Sequence, residues 1–288
     1  MLVFQKVTDL RRHLDAERNQ GRNIGFAPTM GALHRGHIEL VHMARRKGDL
    51  TVVSIFVNPT QFNDTSDLNK YPRTPEKDIA LLLDASCDVL FMPSVEEVYP
   101  PGEDLKIRLD FHQLDEVMEG VFRPGHFEGM ATVVNRLLKI VQPQHLYMGQ
   151  KDFQQLSIVR DMLRQQKSNI VLEMCPTVRE PDGVAMSSRN VRLSPEMRAV
   201  APVIYQTLQW ARSVLPTQDS SEITKEAMQK LESAGLRPEY FDIVDAVTLM
   251  PVHQWADAEC IVACVAAFAG EVRLIDNEIM RWEPGVID

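Results

Sequence analysis

The stretch IGFAPTMGALHRGHIELVHMARRKG, residues 24–48, decides the fold. Residues 24–28 are a short apolar run that reads as a buried strand. Residues 36–48 carry helical periodicity and end on Gly48, a helix-stop signal. The next run, TVVSIFV (51–57), is apolar and β-branched almost throughout, as a strand covered on both faces must be. Working outward, helices are expected over 75–86, 127–141 and 152–166, with Pro75 in the first turn of its helix. Strands are expected over 88–93, 145–149 and 169–175. Such alternation predicts an α/β fold, a Rossmann-like doubly wound parallel sheet binding ligands beyond the carboxyl ends of its strands.

The pattern changes near Pro176. Residues 195–235 read as two helices separated by the turn-rich PTQDSS (216–221), and strands follow at 239–245, 259–270 and 271–279. Helices followed by strands predict a smaller α+β unit. The expected division is an N-terminal domain over 1–176 and a C-terminal lid domain over 177–288. Cys260 and Cys264, four apart in one strand, share a face and read as core.

Composition limits the partners. Of 288 residues, 44% are apolar and 25% charged, which suits a globular chain with a sizeable core. The net charge of -9 argues against nucleic acid or an anionic membrane as partner, since both demand basic surface. The acid is uneven: residues 1–176 hold 21 basic and 23 acidic groups, residues 177–288 hold 10 and 17. The start turns charged within a few residues, unlike a signal peptide, and the longest apolar run, 261–269, is about half of a membrane span. Cys87, Cys175, Cys260 and Cys264 lack zinc-ligand or C-x-x-C spacing, so free thiols in a reducing cytoplasm are expected.

The chemistry gathers at the strand-to-helix junctions. In PTMGALHRGH (28–37), a strand ends, Gly31 turns the chain, and His34 and His37 fall three apart where a helix begins. That spacing puts both imidazoles on one side, beside backbone N–H groups that favour anions. Two histidines there can donate to a phosphate and stabilise charge developing on it. They could also be ordinary polar residues of a first turn, or a zinc pair lacking an evident third ligand. Met186-Ser187-Ser188-Arg189 adds hydroxyls and a cation on a Gly-containing loop.

H-x-G-H in this position resembles the signature of nucleotidyltransferases and class I aminoacyl-tRNA synthetases, and MSSR resembles their mobile phosphate-binding loop. Four further segments narrow the likeness: FVNPTQF (56–62), YPRT (71–74), FRPGHFEGMATVV (122–134) and LYMGQKDFQQL (146–156). In this order and spacing the sequence resembles the pantoate–β-alanine ligase (pantothenate synthetase) family from about residue 26 to 190. The resemblance implies an ATP-dependent ligation in which (R)-pantoate is adenylated and β-alanine then displaces AMP.

It also implies site residues. Met30, Gly31, Ala32, Leu33, His34, Arg35, Gly36 and His37 would line the ATP site, with His34 and His37 at the phosphates and His37 as proton donor. Gly149, Gln150, Lys151 and Asp152 would bind ATP, with Lys151 at phosphate and Asp152 at the ribose. Val178 would meet adenine through its backbone, and Met186, Ser187, Ser188 and Arg189 would close over the phosphates. Gln61 and Gln155 would hold pantoate, Gln61 also placing β-alanine; Asn58 and Tyr71 rank behind them. On residues alone, Gln61 and Asn58 could be turn residues flanking Pro59, and Asp152 a helix cap. Arg123 to His126 (RPGH) reads as loop packing and stays off the catalytic list. In members of the family the acidic run after YPRTP is implicated near the metal. Here it is Glu76-Lys77-Asp78, broken by a lysine, so Mg²⁺ is expected with ATP but no metal ligand is assigned.

The resemblance further implies a cytoplasmic homodimer. Two other readings compete: a cytidylyl- or adenylyltransferase of the same superfamily, and a synthetase-like RNA-binding module, which the acidic balance disfavours.

Overall fold

The computed structural model describes residues 1–61, 68 and 71–285. Phe62, the last residue of FVNPTQF, lies outside them. The chain divides into two compact units, Met1–His112 with Arg123–Gly149 and Ile158–Pro176, and Gln113–Phe122 with Gln150–Ser157 and Thr177–Asp288.

In chain order the first unit runs β1 (Leu2–Phe4), α1 (Val7–Asn19), β2 (Ile24–Thr29), α2 (Arg35–Lys47), β3 (Leu50–Ile55), α3 (Pro75–Asp84), β4 (Val89–Phe91), α4 (His126–Val141) and β5 (His145–Gly149). The helix α5 (Phe153–Gln165) starts in the second unit and leads to β6 (Val171–Cys175) in the first. All pairings are parallel, in the order β1-β4-β3-β2-β5-β6. The doubly wound sheet is therefore as expected, extended at its edge by β1. Leu40, Val41 and Ala44 of α2 pack with Val53, Leu90 and Tyr147 of the sheet. Each large apolar side chain so buried contributes about 1.5–3 kcal/mol. Gly48 closes α2 in the left-handed region, at φ 85°.

The winding fixes where ligands go. From β2 the chain proceeds to β3 and β4 on one side, then crosses to β5 and β6 on the other. The order reverses between β2 and β5, so the crevice opens past Thr29 and Gly149.

In the second unit, helices α6 (Pro195–Val200), α7 (Pro202–Val214) and α8 (Ser220–Ser233) precede an antiparallel sheet, β7 (Arg237–Asp245), β8 (Cys260–Ala269) and β9 (Val272–Trp282). Two helices were expected over 195–235, but Pro202 splits the first. Lacking an N–H and clashing with the preceding turn, it starts a new helix at its own first position. One sheet face (Phe241, Ile243, Ile261, Ala263, Val265, Ala267, Val272, Leu274) packs into a core with Ile204, Leu208, Ile223 and Leu231 of α7 and α8. The other face meets two excursions of the chain. Tyr240 and Arg273 bond Glu119, and Asn277 bonds residues 150 and 151. Cys260 and Cys264 lie on this second face and are buried.

Candidate active site

His34 caps α2. Its Nδ1 accepts from the Gly36 amide at 3.1 Å, and His37 Nδ1 accepts from the His34 amide at 3.3 Å. In the neutral tautomer each ring therefore keeps its proton on Nε2. The rings lie 4.1 Å apart, centroid to centroid. Two imidazoles are thus gathered at a helix N-terminus past β2, where backbone dipoles favour negative charge.

The turn before them is held from below. Gly31 and Ala32 have positive φ, 80° and 49°, a conformation that strains alanine. Asp78, 1% exposed, accepts from the amides of Ala32 (3.0 Å) and Leu33 (2.8 Å) and from Thr74 Oγ1 (3.0 Å). A buried carboxylate with three donors shapes this turn. The sequence had offered Asp78 only as part of an acidic run; its real role depends on long-range packing that spacing does not reveal.

Gln61 closes a 3-10 turn, Pro59–Gln61. Its Nε2 lies 3.0 Å from Met30 Sδ, and its Oε1 accepts from Asn58 Nδ2 at 3.2 Å. Asn58, 1% exposed, also donates to the Gly129 carbonyl and accepts from Thr60 Oγ1 and Tyr99. Burial pushes the Tyr99 phenol up, so it stays a donor. His126 Nδ1 sits 2.9 Å from the Gln61 carbonyl. His126 of the RPGH segment thus packs against the Gln61 backbone, and Asn58 orients its amide. Tyr71 is buried, and Gly149 ends β5 at the same end of the sheet as Thr29 and Met30.

The other predicted residues belong to the second unit. Gln150, Lys151 and Asp152 form a 3-10 turn leading into α5, with Lys151 Nζ 3.8 Å from Asp152 Oδ1. Gln155 is half-buried one turn on, while its neighbour Gln154 is buried, binding the carbonyls of Leu114 and Val117 and the Glu119 amide. Val178 and Met186 face each other across a small hairpin: the Met186 amide donates to the Val178 carbonyl at 2.9 Å. Beyond it, Ser187 Oγ accepts from the Arg189 amide at 3.2 Å. The hairpin is anchored by Arg179, which sequence reasoning missed. Arg179 forks onto Asp276 of β9 (2.6 and 3.1 Å), donates to the carbonyls of Gly183 and Asn277, and stacks on Tyr205. The signal available in sequence was the adjacent pair Asp276-Asn277 in mid-strand, which strand alternation puts one on each face of the sheet.

Known proteins match this chain in sequence and fold. The family model described as pantoate-beta-alanine ligase matches residues 2–279. A pantothenate synthetase of Bacteroides thetaiotaomicron is 49% identical over 278 residues, 96% of this chain and 98% of the relative. One from Porphyromonas gingivalis strain W83 is 47% identical over the same shares. The crystal structure of a Thermus thermophilus pantothenate synthetase has a TM-score of 0.90 at 43% identity, covering 98% of this chain and all of that one. A Francisella tularensis pantoate-beta-alanine ligase, described as complexed with beta-gamma ATP and beta-alanine, has a TM-score of 0.81 at 35% identity, covering 99% and 100%.

Proposed function

The chain belongs to the pantoate–β-alanine ligase family, and from that premise we propose that it joins (R)-pantoate to β-alanine through a pantoyl adenylate. A pantoate carboxylate oxygen bonds to the α-phosphorus of ATP, and the bond to the bridging oxygen breaks to release pyrophosphate. The β-alanine nitrogen then bonds to the acyl carbon. The acyl–oxygen bond breaks, AMP leaves, and the nitrogen sheds a proton. A carboxylate becomes an acylating agent only once its oxygen is a phosphate leaving group, so catalysis is mainly positioning and charge stabilisation.

The observation that carries this reading is the pair His34 and His37, each with Nδ1 engaged by a backbone amide at the N-terminus of α2. Their Nε2 protons suit the oxygens around the α-phosphorus. We assign Met30–His37 and Gly149 of the first unit to ATP, and Gln61 to pantoate and then β-alanine. In the second unit we assign Gln150–Asp152, Val178 and Met186–Arg189 to ATP, the last as a phosphate-binding lid loop, and Gln155 to pantoate. Gln61 suits its role because an amide offers a hydroxy acid both a donor and an acceptor.

Mg²⁺ enters this scheme with ATP. Among the described residues no group of three His, Cys, Asp or Glu stands together to hold a metal ion, and Asp78 is occupied by the turn it binds. Because Lys77 breaks the acidic run and Asp78 is engaged by the turn, the ion is assigned chiefly to phosphate oxygens and water. No helix among the described residues is long and apolar enough to cross a membrane. The assignment of a cytoplasmic homodimer rests on the family likeness alone.

The test is AMP release from ATP, pantoate and β-alanine. AMP formed only when all three are present supports the ligase. A stable nucleotide product from ATP and pantoate alone would favour a nucleotidyltransferase instead.

A further inference from the structure

Two loops of the second unit are held by neighbouring residues of one strand. Asp276 and Asn277 are adjacent on β9, and adjacent strand residues point to opposite faces. On one face, the Asp276 carboxylate takes both arms of Arg179, the anchor of the hairpin leading into Met186–Arg189. On the other, Asn277 Nδ2 donates to the carbonyls of Gln150 (2.9 Å) and Lys151 (2.8 Å), while its Oδ1 accepts from Gln150 Nε2 at 3.0 Å.

The two grips are linked to each other. The Asn277 amide donates to Asp276 Oδ1 at 2.8 Å, and Arg179 Nη2 reaches the Asn277 carbonyl at 3.2 Å. Asp276 and Asn277 are 4% and 1% exposed. Burial pushes the Asp276 carboxyl above the ordinary carboxylate range, while Arg179 and the Lys151 charge pull the other way. A buried carboxylate with a bidentate partner, followed by an amide whose oxygen and nitrogen are both bonded, is a costly arrangement to keep for packing alone. Its members tie down the two second-unit segments assigned to ATP.

We infer that Asp276 and Asn277, with Arg179, are positioning residues for ATP: one strand sets the Gln150–Lys151 turn and the Met186–Arg189 loop in register. They touch no substrate and act through the carbonyls and the hairpin they hold. The inference rests on the ATP assignments of the proposed function.

The test compares the full-length protein with Asn277→Ala, Arg179→Lys and, as control, Glu239→Gln. The control breaks a partly buried ion pair to Arg273 on the same sheet, away from both loops. Adenylation is followed as pyrophosphate release from ATP and pantoate; the second step is followed as AMP release when β-alanine is added to preformed pantoyl adenylate. Arg179→Lys keeps the charge but loses the fork, so it serves even if Asn277→Ala fails to fold.

For Asn277→Ala and Arg179→Lys, adenylation should fall about 10–100-fold with a raised KM for ATP, a loss fitting removal of buried hydrogen bonds, neutral at Asn277 and charge-assisted at Arg179. The second step and the KM for β-alanine should move less than about threefold. Glu239→Gln should lower the melting temperature without separating the two steps. Equal loss in both steps, an unchanged adenylation rate in folded Arg179→Lys, or the same separation in Glu239→Gln would overturn the inference. Absence of adenylation in the unaltered protein would instead sink the proposed function.

Discussion

The carboxylate of Asp78 accepts the Leu33 amide at 2.8 Å and the Ala32 amide at 3.0 Å, so a residue of α3 dictates the turn that delivers His34 and His37. Asp78→Asn keeps the shape but replaces one acceptor oxygen by a donor facing an amide. Removing one charge-assisted pair and leaving a buried N–H unsatisfied costs about 2–4 kcal/mol. Adenylate formation should fall at least tenfold, and the thermal midpoint should drop with it. Wild-type adenylation in Asp78→Asn would show that the turn keeps its shape without the carboxylate.

The His34 cap allows a finer test of the histidines. Alanine at either position should cut adenylate formation by about 10²–10³-fold, as for loss of an oxyanion donor. His34→Ala also removes an N-cap, which costs about 1 kcal/mol. His34→Asn separates the two effects, because asparagine caps well but has no group in place of Nε2. Its melting temperature should stay near that of the unaltered protein while adenylation falls as far as in His34→Ala. Recovery of adenylation along with stability would reduce His34 to a cap.

Much of this was legible in the sequence because it is local. The strands 24–29, 50–55 and 145–149 announce themselves as apolar or β-branched runs, and Gly48 marks the end of α2 through its left-handed φ. Met30 to His37 could be placed because a strand, a glycine turn and a helix start follow one another directly. What the sequence does not display is non-local. Asp78 lies 45 residues from Leu33 in sequence, and Asp276 lies 97 from Arg179. Each reads alone as a surface acid, and only packing turns it into an anchor. Residues 113–122 and 150–157 sit in the middle of the sheet-forming sequence, and nothing in their composition assigns them to the second unit.

Two glycines of the signature segments should respond oppositely to alanine. A Cβ on Gly129 would lie 2.4 Å from the Thr60 carbonyl oxygen and 3.1 Å from Gln61 Cα, both backbone atoms that cannot swing aside. Gly129→Ala should push α4 from the 59–61 turn, destabilise the fold by about 1–3 kcal/mol and raise the KM for pantoate. A Cβ on Gly149 meets nothing within 4 Å. Gly149→Ala should fold with an unchanged melting temperature, so any loss would appear only as weaker ATP use. A stability loss for Gly149→Ala equal to that of Gly129→Ala would contradict this steric account.

The buried thiols supply a pH signature. Burial pushes Cys87 up to about 11 and Cys175 up to about 12. At pH 8 both are protonated and out of reach, so a thiol reagent should label them only after denaturant is added. The sign of the stability effect follows from proton counting. From about pH 9 the unfolded chain ionises these thiols while the folded chain holds the protons. The folded state then binds more protons, and stability falls as pH rises through this window. At pH 10 each thiol should account for a loss of about 1.4 kcal/mol. Replacing Cys87 or Cys175 by alanine removes its share. The urea midpoint of either variant should therefore decline less between pH 8 and pH 10 than that of the unaltered protein. An equal decline would place the alkaline sensitivity elsewhere, with Cys264 and Cys260, whose thiols burial also raises, as the groups to replace next.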